Sequence, residues 1–385
     1  MRVVSAALIS GGMYDPAYAT IPDFTRDTGI GVDIGFRAPH PELNAHLASF
    51  DQPPYDLVST HTKYAPSQNR FLAPLELTTA VENAGDFYPA VIDLATIRGQ
   101  LYGIPRNVDV KLLHYRTDLL PRAPATWDEL RDLARAVNRP PDTWGFVFTG
   151  RDSGLFGTFY ELAESAGARL FPESLAPKLR NDPGRWALKF LMELYRDGLV
   201  PPALPAWHYD EAHTFFRSGK CAMVCDWPGY YGAYLDPILS SIAGRFSVAR
   251  LPAGPAGKSL AYGGCHTFAL TKAGSQKPEA VELLRFLTSP ERQISEAERG
   301  SVPVRGSVMA RIQQRTSGPS AERLTILDDV IKRHVLFPPK LSFFPEIEDI
   351  LWRSVQAAFT GRQSVEESLE EMEERISQCA RRHAG

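Results

Sequence analysis

The sequence predicts a two-lobed α/β protein, and three observations carry that prediction. The chain has 385 residues, too many for one ordinary hydrophobic core and enough for two. Short apolar runs alternate with amphipathic stretches of helical period, the pattern of strands interleaved with helices. No long linker, internal repeat or low-complexity segment separates the halves. The lobes are therefore expected to interleave along the chain.

The elements follow in order. Val3–Ser10 (VVSAALIS) is apolar and leads straight into loop, helix and strand patterns. It is read as the first core strand rather than as a signal peptide. Asp15–Thr28 is helical in part and stops at Gly29. Gly31–Phe36 is a second strand and Pro41–Ser49 a short helix. Tyr55–Thr60 (YDLVST) reads as a buried parallel strand ending in polar residues, and ligands bind at such strand ends. Phe71–Leu77 is a loop and Phe87–Ala95 a helix. Gln100–Pro105 forms a turn and short strand, and Val110–Tyr115 is the strand that enters the second lobe. Thr126 and Glu129 form a capping box for a helix reaching about Val137.

Beyond it, Trp144–Phe148 is a strand and Gly154–Ala166 a helix ended by Gly167. Pro183–Asp197 is amphipathic, with Trp186, Phe190, Leu191 and Leu194 on one side. Asp210–Ser218 is a helix stopped by Gly219. Cys221–Cys225 is a buried strand ending at Asp226-Trp227-Pro228-Gly229. Phe246–Arg250 and Ser259–Leu270 are strands bracketing a Pro/Gly hairpin. Helices are expected at Pro278–Leu287, Ala321–Arg333, Pro345–Thr360 and Val365–Arg382.

Composition narrows the function classes. Hydrophobic residues make up 44% and charged residues 23%, ordinary for a globular protein. The formal net charge of −3 and the lack of a basic stripe argue against nucleic acid as a partner. No apolar run approaches the roughly 18 residues of a spanning helix. Cys221, Cys225, Cys265 and Cys379 include no CxxC pair. Cys221 and Cys225 sit about 13 Å apart along a strand, beyond the roughly 7 Å a disulfide allows. They read as buried small hydrophobes, and neither a cofactor nor a metal is expected.

Motifs for catalysis are absent. Gly254–Ser259 ends in GKS like a phosphate loop, but Pro252 stands where the loop needs its first glycine, and a strand follows where a helix is required. It reads as a hairpin tip. There is no GxSxG, HExxH or GxGxxG after a strand. His208 and His213 flank a helix start without an evident third ligand.

Ordered landmarks along the chain carry a family resemblance. They are Gly11-Gly12 with Tyr14, YDLVST followed by His61 and Thr62, PLEL, and GQLYGIP. NVDVKLLHYRTDLL, PATWDEL, AMVCDWPGYYGAY, the AYGGCHTFAL…EAVELLRFLTSPERQ stretch, and GSVPVRGSV follow. Together they resemble the extracellular solute-binding proteins of the sugar-binding ABC-transporter family, which includes maltose- and trehalose-binding proteins. The resemblance implies a type II periplasmic-binding-protein fold that closes about a hinge on a small solute. Its lobes would be residues 1–107 plus 265–308 and residues 111–262 plus 312–385, with crossings near 107–112, 260–266 and 305–315. It also implies a periplasmic or lipid-anchored extracellular monomer, handing a saccharide or related solute to an ABC transporter permease. The export signal would then lie outside this sequence.

The resemblance also points to individual residues. Asp109 resembles the acid that accepts hydrogen bonds from sugar hydroxyls; the alternative is a salt bridge to Arg106 or Lys111. Trp227 resembles the ring on which a sugar stacks; the alternative is core. Tyr230, with Tyr231 beside it, is a second aromatic. Gly263 and Gly264 allow close backbone approach, and His266 follows, as contact or as hinge histidine. Arg305 resembles a binding-cleft arginine; the alternative is a surface charge. Gly12, Tyr14, His61, Thr62 and Arg151 complete the candidate set, whereas Trp127, just past a helix cap, is assigned to structure. Arg106 and Lys111 depart from the family pattern. With His61, Arg151 and His266 they suggest an anionic sugar or glycoside held by a cationic clamp. The rival readings are a glycoside-processing enzyme and an anion- or metal-ion-binding protein of related fold.

Overall fold

The computed structural model describes residues 2–11 and 14–383, the side chains of Pro16 and Pro41 excepted. The chain forms two compact units. The first comprises Met1–Asp109, Gly263–Leu324 and Pro339–Ser342, and the second Val110–Tyr262, Thr325–Pro338 and Phe343–Gly385.

The first unit is built on Val3–Ile9, which is buried from Ala6 onward. It pairs in parallel with Gly31–Ala38 on one side and with Leu57–His61 on the other. Leu57–His61 then pairs antiparallel with Ala261–Leu270, in the register His266↔His61 through Leu270↔Leu57. Ile104–Val110 pairs with the same long strand. So the sheet is mixed, and the strand expected to be parallel has an antiparallel neighbour. Continuous burial of Leu57–His61 and Ala261–Leu270 fits sheet positions covered on both faces. The helix Pro278–Leu287, buried through Ala280, Leu283, Leu284 and Leu287, packs on Val3–Ile9.

The second unit has a three-stranded antiparallel sheet. Leu112–Arg116 lies between Met223–Asp226 and Phe246–Ala249. Helices Asp152–Ala166, Asp182–Arg196, Phe344–Phe359 and Val365–His383 pack together beside it. The cap expected at Thr126 is present: its hydroxyl accepts the Glu129 N–H at 3.1 Å, while Glu129 reaches back to the Ala125 N–H at 2.6 Å. Trp127, 1% exposed, packs edge-on to Phe190 as a core side chain.

Three local expectations change. Phe246–Ala249 and Ala261–Leu270 pair with different strands, so the segment between them is no hairpin. It closes a local turn, with the Gly257 N–H donating to the Gly254 carbonyl, and strand Ala261–Leu270 follows. Trp144–Phe148 runs parallel beside Cys221–Val224 in one register but makes only isolated bridges there, Trp144 to Cys221 and Val147 to Val224, and so forms no continuous strand. The expected strand Val110–Tyr115 is two strands, Ile104–Val110 and Leu112–Arg116, broken at Lys111. Helices Pro290–Ala297 and Gly306–Arg315 were not read from the sequence. Their short amphipathic periods are masked by flanking polar residues.

An aromatic cluster anchors the second unit. Phe156 is fully buried, with ring centroids 5.6 Å from Tyr160, 5.4 Å from Tyr262 and 5.6 Å from Phe344. Phe156→Ala should cost about 3–5 kcal/mol of unfolding free energy, read as a lower urea midpoint.

Candidate functional site

In the first unit the antiparallel register sets His266 directly opposite His61. Opposed residues in such a pair hold their Cβ atoms about 5 Å apart, and the two imidazole centroids lie 4.9 Å apart. His40 joins them, with its ring 5.3 Å from His61 and 5.1 Å from His266. Gly264 makes room for this. A Cβ there would meet the His61 ring at 2.4 Å, a separation real Cβ atoms do not show.

Hydrogen bonds orient the rings. His266 Nε2 lies 2.8 Å from the Tyr14 hydroxyl and 3.4 Å from an Asp109 carboxylate oxygen. His61 Nδ1 accepts the Lys63 N–H at 3.0 Å. The other Asp109 oxygen accepts the Asn107 amide at 3.0 Å. Thr62 serves the framework here: its N–H donates to the Cys265 carbonyl and its hydroxyl accepts the Cys265 N–H.

Burial shifts these groups in opposite directions. It pushes the Asp109 carboxyl up to about 7, although the Asn107 hydrogen bond and the Arg106 charge pull the other way. It pushes His61 and His266 well below the usual histidine range, helped by the other cations around them. Near neutrality the His61 and His266 imidazoles are therefore uncharged and the Asp109 carboxyl is close to its titration point, so the group can both donate and accept.

Arg106 is no free cation. Its guanidinium donates to Glu296 at 2.9 Å and to the Tyr18 hydroxyl at 3.0 Å, and lies over the rings of Tyr14, Tyr18 and Phe268. Burial alone would lower its pKa, but Glu296 and Tyr18 hold it above the ordinary arginine value. Arg305 is buried against Phe87, its guanidinium 4.0 Å from the ring centroid, and donates to the Asn83 carbonyl at 3.1 Å. Its partners are thus not members of the Asp109–His266 group. Gly263 lies inside the buried strand, and Gly12 lies outside the described residues.

In the second unit, strand Met223–Asp226 ends at Trp227, which is half-buried. Pro228 starts a single helical turn and ends the strand. The edges of Tyr209 and Tyr262 meet Trp227 at centroid distances of 5.9 and 5.7 Å. Gly157 admits Tyr262, since a Cβ there would meet its ring at 2.4 Å. Tyr230 stacks on His213 at 4.0 Å and donates to Asp210 at 3.0 Å, while Tyr231 is buried against Phe246.

Lys111 also has its own acid. It forms a buried 2.7 Å ion pair with Glu161, donates to Thr158 at 3.3 Å, and sits 5.9 Å from the Trp227 ring centroid. Burial raises the Glu161 pKa, and Lys111 opposes the rise. Arg151 is exposed and 3.3 Å from Asp152. The cationic clamp expected from Arg106, Lys111 and Arg151 is thus not available as three free charges, because each faces an acid of its own unit. Glu296, Glu161, His40, Tyr209 and Tyr262 were missed in the sequence. Only Tyr262 carried a local signal, its place immediately before Gly263-Gly264.

Comparison with known proteins fits this architecture. Residues 13–294 match the model of the bacterial extracellular solute-binding protein family. That is more than half of the chain, and the protein belongs to this family. A probable ABC transporter-binding protein of Deinococcus radiodurans is 31% identical over 56% of this chain, and the match spans about half (53%) of that relative. A mannitol-binding protein of Pseudomonas aeruginosa is 26% identical, over 78% of this chain and 74% of its own. Maltose-bound MalE3 of T. maritima superposes with a TM-score of 0.88 over 98% of this chain and 99% of its own, at 24% identity. The periplasmic-binding-protein fold read from the sequence is the fold of this chain.

Two predictions test these environments. Glu296→Ala strands the buried Arg106 charge and should cost about 3–5 kcal/mol, read by urea unfolding. Native Asp109 keeps its proton to about pH 7, against an ordinary value of 3.8. Between those values the unfolded state has released the proton and the native state has not, so this group's contribution to stability falls as pH rises. Asp109→Asn should therefore be more stable relative to wild type at pH 7 than at pH 4. His61 and His266 act with the opposite sign: below the usual 6.5 the unfolded state takes up protons first, so their share of stability is lost as pH falls.

Proposed function

We propose that the protein captures a neutral, hydroxyl-rich solute, a sugar or sugar alcohol, for delivery to an ABC transporter permease. The observation that carries this reading is Trp227, half-buried at a strand end with Tyr209 and Tyr262 packed against it. A braced aromatic face offers contact area to the C–H side of a sugar ring at small entropic cost. Within the first unit, Asp109, His266 and Tyr14 form a group of acceptors and donors suited to hydroxyls.

The charge state of the cations favours a neutral solute over an anionic one. Recruiting Arg106 or Lys111 to a ligand anion would mean breaking a buried pair with Glu296 or Glu161, which leaves the acid unpaired. The names of relatives agree in kind: a mannitol-binding protein of Pseudomonas aeruginosa, and a D-mannitol complex from Agrobacterium vitis that superposes with a TM-score of 0.83 at 21% identity. We place the protein outside the cytoplasmic membrane, as a monomer that binds its solute without turning it over. Binding is expected to change the disposition of the two units, which small-angle scattering with and without solute reads.

A thermal-shift panel of maltose, mannitol, ribitol, a uronic acid and a sulfosugar tests the reading. A neutral member should raise the melting temperature by mass action. Trp227→Ala and Asp109→Asn should each abolish that rise, measured against each variant's own solute-free melting temperature. A response confined to the anionic members would refute the proposal.

A further inference from the structure

The last two helices of the second unit bring together three metal-type donors that solute binding does not use. Cys379 and His383 are four residues apart on Val365–His383 and so share one face. Glu346 stands in the first turn of the neighbouring helix Phe344–Phe359. A ligand atom of each, the Cys379 sulfur, a His383 ring nitrogen and a Glu346 carboxylate oxygen, lies within 4.8 Å of the other two. Among the described residues no other group of three His, Cys, Asp or Glu side chains converges this closely.

The geometry fits a small thiophilic ion. Zinc bonds sulfur, nitrogen and oxygen donors at about 2.0–2.3 Å, so tetrahedral donors stand about 3.3–3.6 Å apart. His383 Nε2 and Glu346 Oε2 are already 3.5 Å apart. Closing the remaining gap needs about 1 Å of movement shared among the Glu346, Cys379 and His383 side chains.

The surroundings support the same use. The His383 ring stacks on Phe343 at 4.4 Å with an interplanar angle of 2°, which limits its orientation. Arg382 pairs with Oε1 of Glu346, so Oε2 is the oxygen left facing His383. Burial grades across the group, from buried Cys379 through half-buried Glu346 to exposed His383, and gives an ion an entrance at the histidine.

We propose that Glu346, Cys379 and His383 form a binding site for a divalent cation of the zinc class, with water completing the coordination. The thiol of Cys379 loses its proton to solvent as the metal–sulfur bond forms, and the ion sheds water for the three protein ligands. A sulfur donor selects zinc-class ions over magnesium or calcium. The bound ion would fasten the end of the last helix to the start of its neighbour. This inference stands independently of the proposed solute.

Titration of the chelator-treated full-length protein with Co²⁺ tests it. One equivalent should bind and give the near-ultraviolet thiolate-to-cobalt charge-transfer band, which Zn²⁺ should then abolish while raising the melting temperature. Cys379→Ser should lose the band with unchanged circular dichroism. His383→Ala alters an exposed side chain and should weaken binding by at least about tenfold, since even indirect partners of a metal site cost that much. Trp227→Ala should bind Co²⁺ as the wild type does. Absence of the band, its survival in Cys379→Ser, or unchanged affinity in His383→Ala overturns the proposal.

Discussion

The antiparallel register between Leu57–His61 and Ala261–Leu270 is the constraint on which the first unit's site depends. It joins segments some two hundred residues apart, and it decides which side chains meet. With His266 opposite His61, Gly264 falls where the His61 ring passes and Cys265 falls where Thr62 locks the backbone. A slip of one residue would turn every side chain of the strand to the other face. It would also drive a side chain in place of Gly264 into an imidazole. Two further contacts tie Ile104–Val110 into the same arrangement: the Cys265 sulfur reaches the Asn107 carbonyl and the Val108 N–H donates to Val302. Strand pairing and these contacts together bring Asp109 to His266.

Two buried ion pairs then fix the electrostatics. Arg106 and Lys111 lie five residues apart in sequence but belong to different units, and each has an acid within its own. A buried charge without a partner costs several kcal/mol, about what a whole domain can spare. These pairs are weak evidence of added stability, since apolar replacements of similar volume are often as stable. Their effect is on what the surroundings can hold. Beside paired cations, Asp109 lacks the full field of a neighbouring Arg106, and burial dominates its protonation.

Much of the architecture was legible because it is local. Period, caps and stops placed most helices within a residue or two, the Thr126 cap and the Gly167 stop among them. Proline after Trp227 announced a strand end with an aromatic at its tip. The partners of the charged residues were not legible. Arg106 and Glu296 are 190 positions apart, and no periodicity links them. The cationic residues were visible and the acids paired with Arg106 and Lys111 were not, so a clamp for anions was a natural reading from charge alone. The same limit explains the hairpin. Two strands flanking a Pro/Gly turn look paired, but Phe246–Ala249 finds Leu112–Arg116 instead.

The two aromatic and polar groups also differ in what they ask of the fold. Trp227 stands at the end of a strand, half-buried, with two tyrosine edges as its walls. Such a surface needs only packing to hold it, and a solute that covers it gains contact without displacing a hydrogen bond. The Asp109–His266–Tyr14 group is the reverse. Its members are already bonded to one another, so a hydroxyl must replace an existing contact with one as good. A carboxyl near its titration point and two uncharged imidazoles can make that exchange in either direction, as donor or acceptor, with no ion left bare. On the reading proposed above, a solute hydroxyl that found no match in the polar group would leave a buried partner unsatisfied, which is a means of discriminating between hydroxyl patterns.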